Sequence, residues 1–264
     1  MENELEYALS IFQEPEGYRE PDLKPTFIKH QTIQGQELTL RLVGSSPLWG
    51  HLLWNAGWVA SAYLEAHATS LVRNKNILEL GCGAGLPSLV CALNGSKNVV
   101  ATDYPDAELI ENLRFNMTNN APQVVAAHKI SVEGYLWGAS IEALVSHIHT
   151  PSGENGGFDL LILADLLFNH SEHQKLVKTV RTTLKKSTTA QALVFFTPYR
   201  PWLFKKDLAF FDMARGADLT VSKLFEHTME KVMFDADPGD ERLRRTVFAY
   251  SLRWSGHVLE DSGQ

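Results

Sequence analysis

Residues 77 to 91 read ILELGCGAGLPSLVC. An apolar run ends in an acid, Glu79, three glycines follow at Gly81, Gly83 and Gly85, and apolar residues then resume at helical spacing. A strand that turns under a bound nucleotide and continues as a helix is built this way, because glycine lets the backbone approach a ligand and tolerates the turn. Such loops serve hydride transfer from nicotinamide or flavin and methyl transfer from S-adenosyl-methionine, while a tight turn alone would also use glycines. The spacing argues against a dinucleotide. In G-x-G-x-x-G the third glycine would fall at Leu86, whereas this loop is G-x-G-x-G. A carboxylate at Glu79 would repel a pyrophosphate and suits the ammonium and sulfonium of S-adenosyl-methionine. Asp103 closes the next apolar run, placed either to accept hydrogen bonds from both ribose hydroxyls or to cap the helix that starts near Pro105.

Two other residue sets invite chemistry and carry less. His170 and His173 have a spacing used by metals, but no further ligands cluster with them, and Ser171 with Gln174 reads as a capping box. No metal is expected. Ser88 lies inside the helix after the glycine loop, so it makes no nucleophile elbow.

The elements that must position these residues follow from periodicity. Residues 36–44 (QELTLRLVG) alternate like a half-buried strand, and apolar residues between Gly50 and Ser70 recur at helical spacing. Apolar runs at 76–80, 98–103, 124–130, 158–164 and 191–197 then alternate with helical segments, which predicts a parallel α/β sheet. Pro87 in a helix's first turn and the stop at Asn94-Gly95 bound the first crossover; the next helix follows Pro105 and ends before Pro122. A helix near 202–213 precedes runs at 219–225 and 246–254, read as an antiparallel pair closing the sheet edge. Ligands of such sheets sit beyond the carboxyl ends of the strands, here after residues 80, 103 and 164. Residues 149–157 read as an exposed loop, and residues 235–241 (DADPGDE) as an acidic loop, solvated or placed at a cleft mouth to draw in a basic peptide.

The chain has 264 residues, 44% of them hydrophobic, enough for one domain with a substantial core. Residues 1–30, polar, acidic and proline-bearing, read as a loosely packed N-terminal arm, and 31–264 as the domain. A net charge of −7 gives no positive field for a polyanion, so the expected partner is basic and not a nucleic acid. Two cysteines, Cys82 and Cys91, form no disulfide framework. No apolar run reaches the roughly 20 residues of a membrane span, and the acidic N-terminus is unlike a targeting segment. A cytoplasmic monomer is the expectation.

The segments LELGCGAG and ATDYP resemble the first two motifs of the seven-strand class of S-adenosyl-methionine-dependent methyltransferases. PLWGHLLWNAG (47–57), VEGYLWG (132–138) and ILADLLFNHSEH (162–173) resemble the protein-lysine methyltransferase subfamily in the same order. FFTPYRPWLFKKDLAFF and MFDADPGDERLRRTV are similar to its fungal branch, which methylates the N-terminal α-amine and adjacent lysine of translation elongation factor 1-alpha. The resemblance implies a Rossmann-like, seven-stranded, mostly parallel sheet with helices on both faces and an antiparallel last strand. It implies cofactor contacts at Trp54, Gly81, Cys82, Gly83, Asp103, Trp137 and Ala164. It places a D-x-x-Y/F motif at Asp165 to Phe168, whose ends are the catalytic candidates, with Phe168 where many members carry tyrosine.

Physical readings run beside these. Trp137 has a position from which an indole can lie on adenine, or it is a core residue; Trp54 offers a π face to a sulfonium, or packs its helix. Asp165 either orients the attacking amine or caps the next turn. Phe168, Tyr199 and Trp202 either wall the cleft against water or sit in the core. The reading is methyl transfer to a protein amine. Its rivals are a methyltransferase of another protein or of a small molecule, a nicotinamide oxidoreductase, and an inactive adaptor.

Overall fold

Continuous apolar runs belong to strands covered on both faces, and four of them lie side by side here. The computed structural model describes residues 24–44, 50–148 and 156–261. Strands β1 (Thr26–Gln31) and β2 (Glu37–Leu42) form an antiparallel hairpin. Strands β3 (Asn76–Leu80), β4 (Asn98–Asp103), β5 (Ile130–Gly134), β6 (Leu160–Ala164), β7 (Gln191–Phe196), β8 (Leu219–Thr228) and β9 (Thr246–Trp254) form one sheet in the order β5-β4-β3-β6-β7-β9-β8. The first five are parallel, and β9 runs antiparallel between β7 and β8. The seven-stranded expectation with its antiparallel last strand therefore holds.

Among the described residues, five helices of eight residues or more cover the sheet: α1 (Asn55–Ala66), α2 (Leu86–Leu93), α3 (Ala107–Asn120), α4 (His173–Thr183) and α5 (Phe204–Gly216). Side chains alternate across a strand, so Ile77, Ala101, Ile162 and Phe195 pack with α1, α2 and α3, while Leu78, Val100, Leu163 and Val194 pack with α4 and α5. The order reverses at β3, whose neighbours are β4 on one side and β6 on the other. A crevice opens beyond the carboxyl ends at that point.

Three expectations need correction. The third run, 124–130, is not a strand: Pro122 opens a short helix, Pro122–Ala126, left-handed His128 (φ 53°) turns the chain, and β5 begins only at Ile130. The capping box does not form, because Ser171 donates to Asn169 Oδ1 (2.9 Å) and α4 starts behind a 3-10 turn at His170–Glu172 without a side-chain cap. The hairpin also takes in residues 26–30, which the sequence reading assigns to the arm. The arm's first 23 residues, and 149–155 of the exposed loop, lie outside the described residues.

The hairpin is fastened by an asparagine ladder. Asn112, Asn116 and Asn120, four apart on one face of α3, treat β2 as a strand would. Asn120 accepts from Thr39 N (2.7 Å) and donates to Thr39 O (2.9 Å). Asn116 accepts from Arg41 N (2.7 Å) and donates to Arg41 O (2.9 Å) and to Ala84 O in the glycine loop (3.0 Å). Asn112 binds Arg41 Nε and Arg41 O. The hairpin, α3 and the glycine loop thus share Asn116, which is fully buried. Replacing it with Ala leaves these backbone groups unpaired, so Asn116→Ala should lower the unfolding free energy by about 3 kcal/mol in urea titrations. A loss below about 1 kcal/mol would show that water replaces the amide.

Candidate active site

The loop after β3 folds as its glycines require. Gly81, Gly83 and Gly85 all have positive φ (57°, 53° and 78°). A Cβ on Gly85 would lie 2.2 Å from Met117 Cε and 2.6 Å from Leu113 Cδ1, so this glycine lets α3 pack against the loop. A Cβ on Gly83 would meet nothing within 4 Å, which leaves open space where a ligand can lie on the backbone. Asp103 stands beside it. Its Oδ2 accepts from Gly83 N (2.6 Å) and its Oδ1 from Tyr104 N (2.7 Å), while burial raises its pKa. It does not cap α3, a task performed by Asp106, which accepts from Glu108 N and Leu109 N.

A cavity of about 280 Å³ lies over this loop. Trp54, Gly81, Gly83, Asp103, Trp137, Ala164, Asp165 and Phe168 all line it. Cys82 sits between the lining glycines, buried, its N–H donated to Thr102 O (3.0 Å), and is not itself among the lining residues. Tyr104, Leu136, Asn169 and Glu172 are among the cavity's other lining residues and had no role assigned from the sequence. Tyr104 was discoverable as the direct neighbour of Asp103; the other three lie in segments that carry the resemblance, which gives them no role of their own.

Glu79 corrects the sequence reading. Strand alternation turns its side chain toward α2, away from the cavity, where it accepts from Ser88 N (2.8 Å) and Ser88 Oγ (2.5 Å). Burial pushes its pKa up to about 8, so at neutral pH it is mostly a neutral acid that anchors the start of α2. It offers no charge to a ligand. The case against a dinucleotide rests on the glycine spacing alone.

Asp165 is the joint between this cavity and a second. Its backbone is left-handed (φ 55°), which turns the chain out of β6 and under the glycine loop. Its carboxylate is buried and accepts three hydrogen bonds: Ala56 N (3.0 Å) and Tyr199 Oη (3.1 Å) to Oδ2, and Thr197 N (2.6 Å) to Oδ1. Burial outweighs these donors and raises its pKa to about 7. Trp54, Asp165 and Phe168 are common to both cavities. The second, of about 290 Å³, is further lined by Phe196, Tyr199, Arg200, Asp207, Phe234 and Asp237. Trp54, Tyr199 and Phe234 form a triangle of edge-on rings with centroids 5.0, 5.9 and 6.0 Å apart. These rings pack on each other and present a wall, with exposed Asp237 at its edge. Trp202, expected in this wall, is 59% exposed and lines neither cavity; Phe234 takes its place from the loop before β9. In the acidic loop Asp240 is a helix cap, accepting from Leu243 N (3.1 Å).

A sequence model described as lysine methyltransferase matches residues 34–217. The chain belongs to the lysine methyltransferase family. It is 47% identical over 248 residues to the protein N-terminal and lysine N-methyltransferase efm7 of Aspergillus fumigatus, covering 94% of this chain and 95% of that one. To the protein of the same name from Schizosaccharomyces pombe it is 42% identical over 255 residues, 95% of this chain and 97% of the other. Its fold is shared by TYW2 of Pyrococcus horikoshii, solved in complex with MeSAdo, with a TM-score of 0.54 at 16% identity over 89% of this chain and 73% of that one. The methyltransferase is thus an enzyme of protein N-methylation, and its family implies use of S-adenosyl-methionine.

The residues present fit that donor. Open space at Gly83 admits it to the backbone, and each Asp103 oxygen keeps a lone pair beyond its N–H bond for a ribose hydroxyl. Trp137 and Leu136 supply apolar surface for a base.

Two outcomes test this site. Asp103→Ala should weaken S-adenosyl-homocysteine binding by about 2 kcal/mol, roughly 30-fold in calorimetry, through two lost charge-assisted hydrogen bonds. Unchanged affinity would remove the ribose assignment. Glu79 gives a pH signature. With its pKa raised from 4.5 to about 8, the folded chain holds a proton that the unfolded chain has lost. The stabilisation is full below about pH 4.5 and fades as pH rises to about 8. Between pH 5 and 8 the wild type should therefore lose a few kcal/mol of unfolding free energy relative to Glu79→Gln, at about 1.4 kcal/mol per unit of differential protonation. Parallel pH profiles for the two proteins would contradict a buried neutral Glu79.

Proposed function

We infer that the protein methylates the N-terminal α-amine and the adjacent lysine of translation elongation factor 1-alpha, acting in the cytoplasm as a monomer. The observation that carries this reading is the pair of cavities meeting at Trp54, Asp165 and Phe168. One presents glycine backbone and a carboxylate; the other is an aromatic pocket lined by Asp165, Asp207 and exposed Asp237, which suits a basic chain end. The names of the relatives, protein N-terminal and lysine N-methyltransferase, support the choice of amine. The elongation factor comes from the motif resemblance.

S-adenosyl-methionine supplies a methyl group on a sulfonium. The chain's own residues do the rest. The aromatic wall excludes water from the acceptor amine and disfavours its charged form, which matters more for lysine (pKa about 10.4) than for an α-amine (about 7.7 to 8.0). The Asp165 carboxylate, held by three donors, sets the position of Trp54 and Tyr199 at the meeting point, so its first role is to position these walls. Phe168, 44% exposed, contributes ring surface to both cavities. Asp237 and the net charge of −7 favour encounter with a basic peptide.

The test is incubation of the protein with labelled S-adenosyl-methionine and translation elongation factor 1-alpha, unmodified or N-acetylated, followed by mass spectrometry. Label should appear on the N-terminal residue and its neighbouring lysine, with the α-amine signal abolished by acetylation. Label on internal lysines alone, or none on this factor, would turn the reading toward another protein.

A further inference from the structure

Buried carboxylates are ordinarily fully paired, and the three acids that line the acceptor cavity meet that expectation differently. Asp165 accepts from three donors, so both its oxygens are engaged. Asp237 is exposed at the edge. Asp207, in the first turn of α5, is 6% exposed, and one oxygen alone is held: Oδ1 lies 2.6 Å from His170 Nε2. An ionised carboxylate only accepts, so Nε2–H is the donor, which a neutral and a charged imidazole both allow. Oδ2 takes no hydrogen bond among the described residues and is not sealed from solvent. It is an acceptor left open in an aromatic cavity.

The surrounding charges leave room for a cation. Burial raises the Asp207 pKa, and against it the His170 N–H and the nearby Arg200 charge favour the ionised form. Arg200 does not take up the open oxygen. Its guanidinium is exposed, donates from Nη2 to Phe168 O (2.8 Å), and forms no ion pair with Asp207 among the described residues. Asp165, Asp207 and Asp237 thus share the cavity with the guanidinium of Arg200. Position decides what kind of cation Asp207 serves. Trp54, Asp165 and Phe168 mark the meeting point with the cofactor cavity, whereas Asp207 lines the acceptor cavity only. A nitrogen about to be methylated belongs at the meeting point, and a group held by Asp207 stands away from it.

We propose that Asp207 anchors a second, non-reacting ammonium of the acceptor, so that the two amines of one chain end take turns between Asp207 and the meeting point. With the α-amine at the meeting point, the neighbouring lysine's ammonium donates an N–H to Asp207 Oδ2. With the lysine amine there, the α-ammonium takes that place. Asp207 gains and loses hydrogen bonds only. One pocket thereby serves two amines on stems of different length, and it selects chain ends that carry a basic residue beside the first. The inference rests on reading this cavity as the amine site of N-terminal and lysine methylation.

The experiment follows α-amine methylation by mass spectrometry and gives kcat/KM for two peptides with S-adenosyl-methionine. One has the elongation factor's N-terminal sequence; the other has norleucine in place of the adjacent lysine, which keeps the aliphatic stem and lacks the ammonium. For the wild type the lysine peptide should be better by about 30-fold, as expected of a hydrogen bond between charged groups. For Asp207→Asn the two peptides should differ by less than about threefold, the non-additivity of groups in contact, with S-adenosyl-homocysteine affinity unchanged. Asp237→Asn should keep most of the wild-type preference, because an exposed charge acts mainly on encounter. An Asp207 that only stabilises the first turn of α5 would, when replaced, lower both peptides alike and leave the preference intact. That result, no preference in the wild type, or a preference lost in Asp237→Asn and kept in Asp207→Asn overturns the anchor. Melting temperature checks the fold; if Asp207→Asn does not fold, Asp207→Ser is measured in its place. A wild type that methylates neither peptide instead rejects the acceptor reading, so the two failures are told apart.

Discussion

A single buried carboxylate, that of Asp165, joins the pieces on which the site depends. It draws together the first turn of α1 through Ala56, the end of β7 through Thr197, and the phenol of Tyr199. Its own backbone sits in the left-handed region as the chain leaves β6. Removing charge from water is costly, and its pKa is accordingly lifted toward neutrality. Three donors nevertheless converge on it, and their convergence fixes where Trp54 stands between the two cavities. The D-x-x-Y/F spacing makes sense in these terms: the aspartate ties strand ends to a helix start, and the aromatic three residues later lines the space created.

Much of this was legible in the sequence, for identifiable reasons. Strands β3, β4, β6 and β7 are apolar on both faces, so their runs stand out, and the loop's glycines mark a turn at positive φ, which glycine adopts at least cost. Asp103 could be found from its distance to the loop because a strand and a crossover helix have nearly fixed lengths. What failed is equally specific. Edge strand β5 carries Ser131 and Glu133, so its pattern is weaker than the neighbouring Val124 and Val125, which a proline sends into a helical turn. Glu79 looked like a ligand group because spacing along a chain does not say which face a strand residue takes until the sheet's two layers are assigned.

The acceptor cavity was the least legible part. Its lining comes from α1, the ends of β6 and β7, α5 and the loop before β9, and of these residues the resemblance assigns a role only to Trp54, Asp165 and Phe168. Trp202 and Phe234 are both aromatic and both near turns; tertiary packing against Trp54 and Tyr199 selects the second. His170, set aside as a weak metal signal, has a partner 37 positions later, a separation that no local pattern reveals.

The asparagine ladder on α3 has a consequence for how molecules of this protein meet one another. Beyond its pairing with β1, strand β2 would present bare N–H and C=O groups at Thr39 and Arg41, and such an edge is a template for another chain's strand. Amide side chains carry one donor group and one acceptor, as a peptide does, so Asn116 and Asn120 saturate those groups without adding a strand. A helix thereby ends the hairpin's sheet, and the edge is kept from recruiting neighbours. In a chain whose small hairpin forms a sheet of its own, the edge of β2 is closed by asparagine side chains where many proteins would use a charge or a proline.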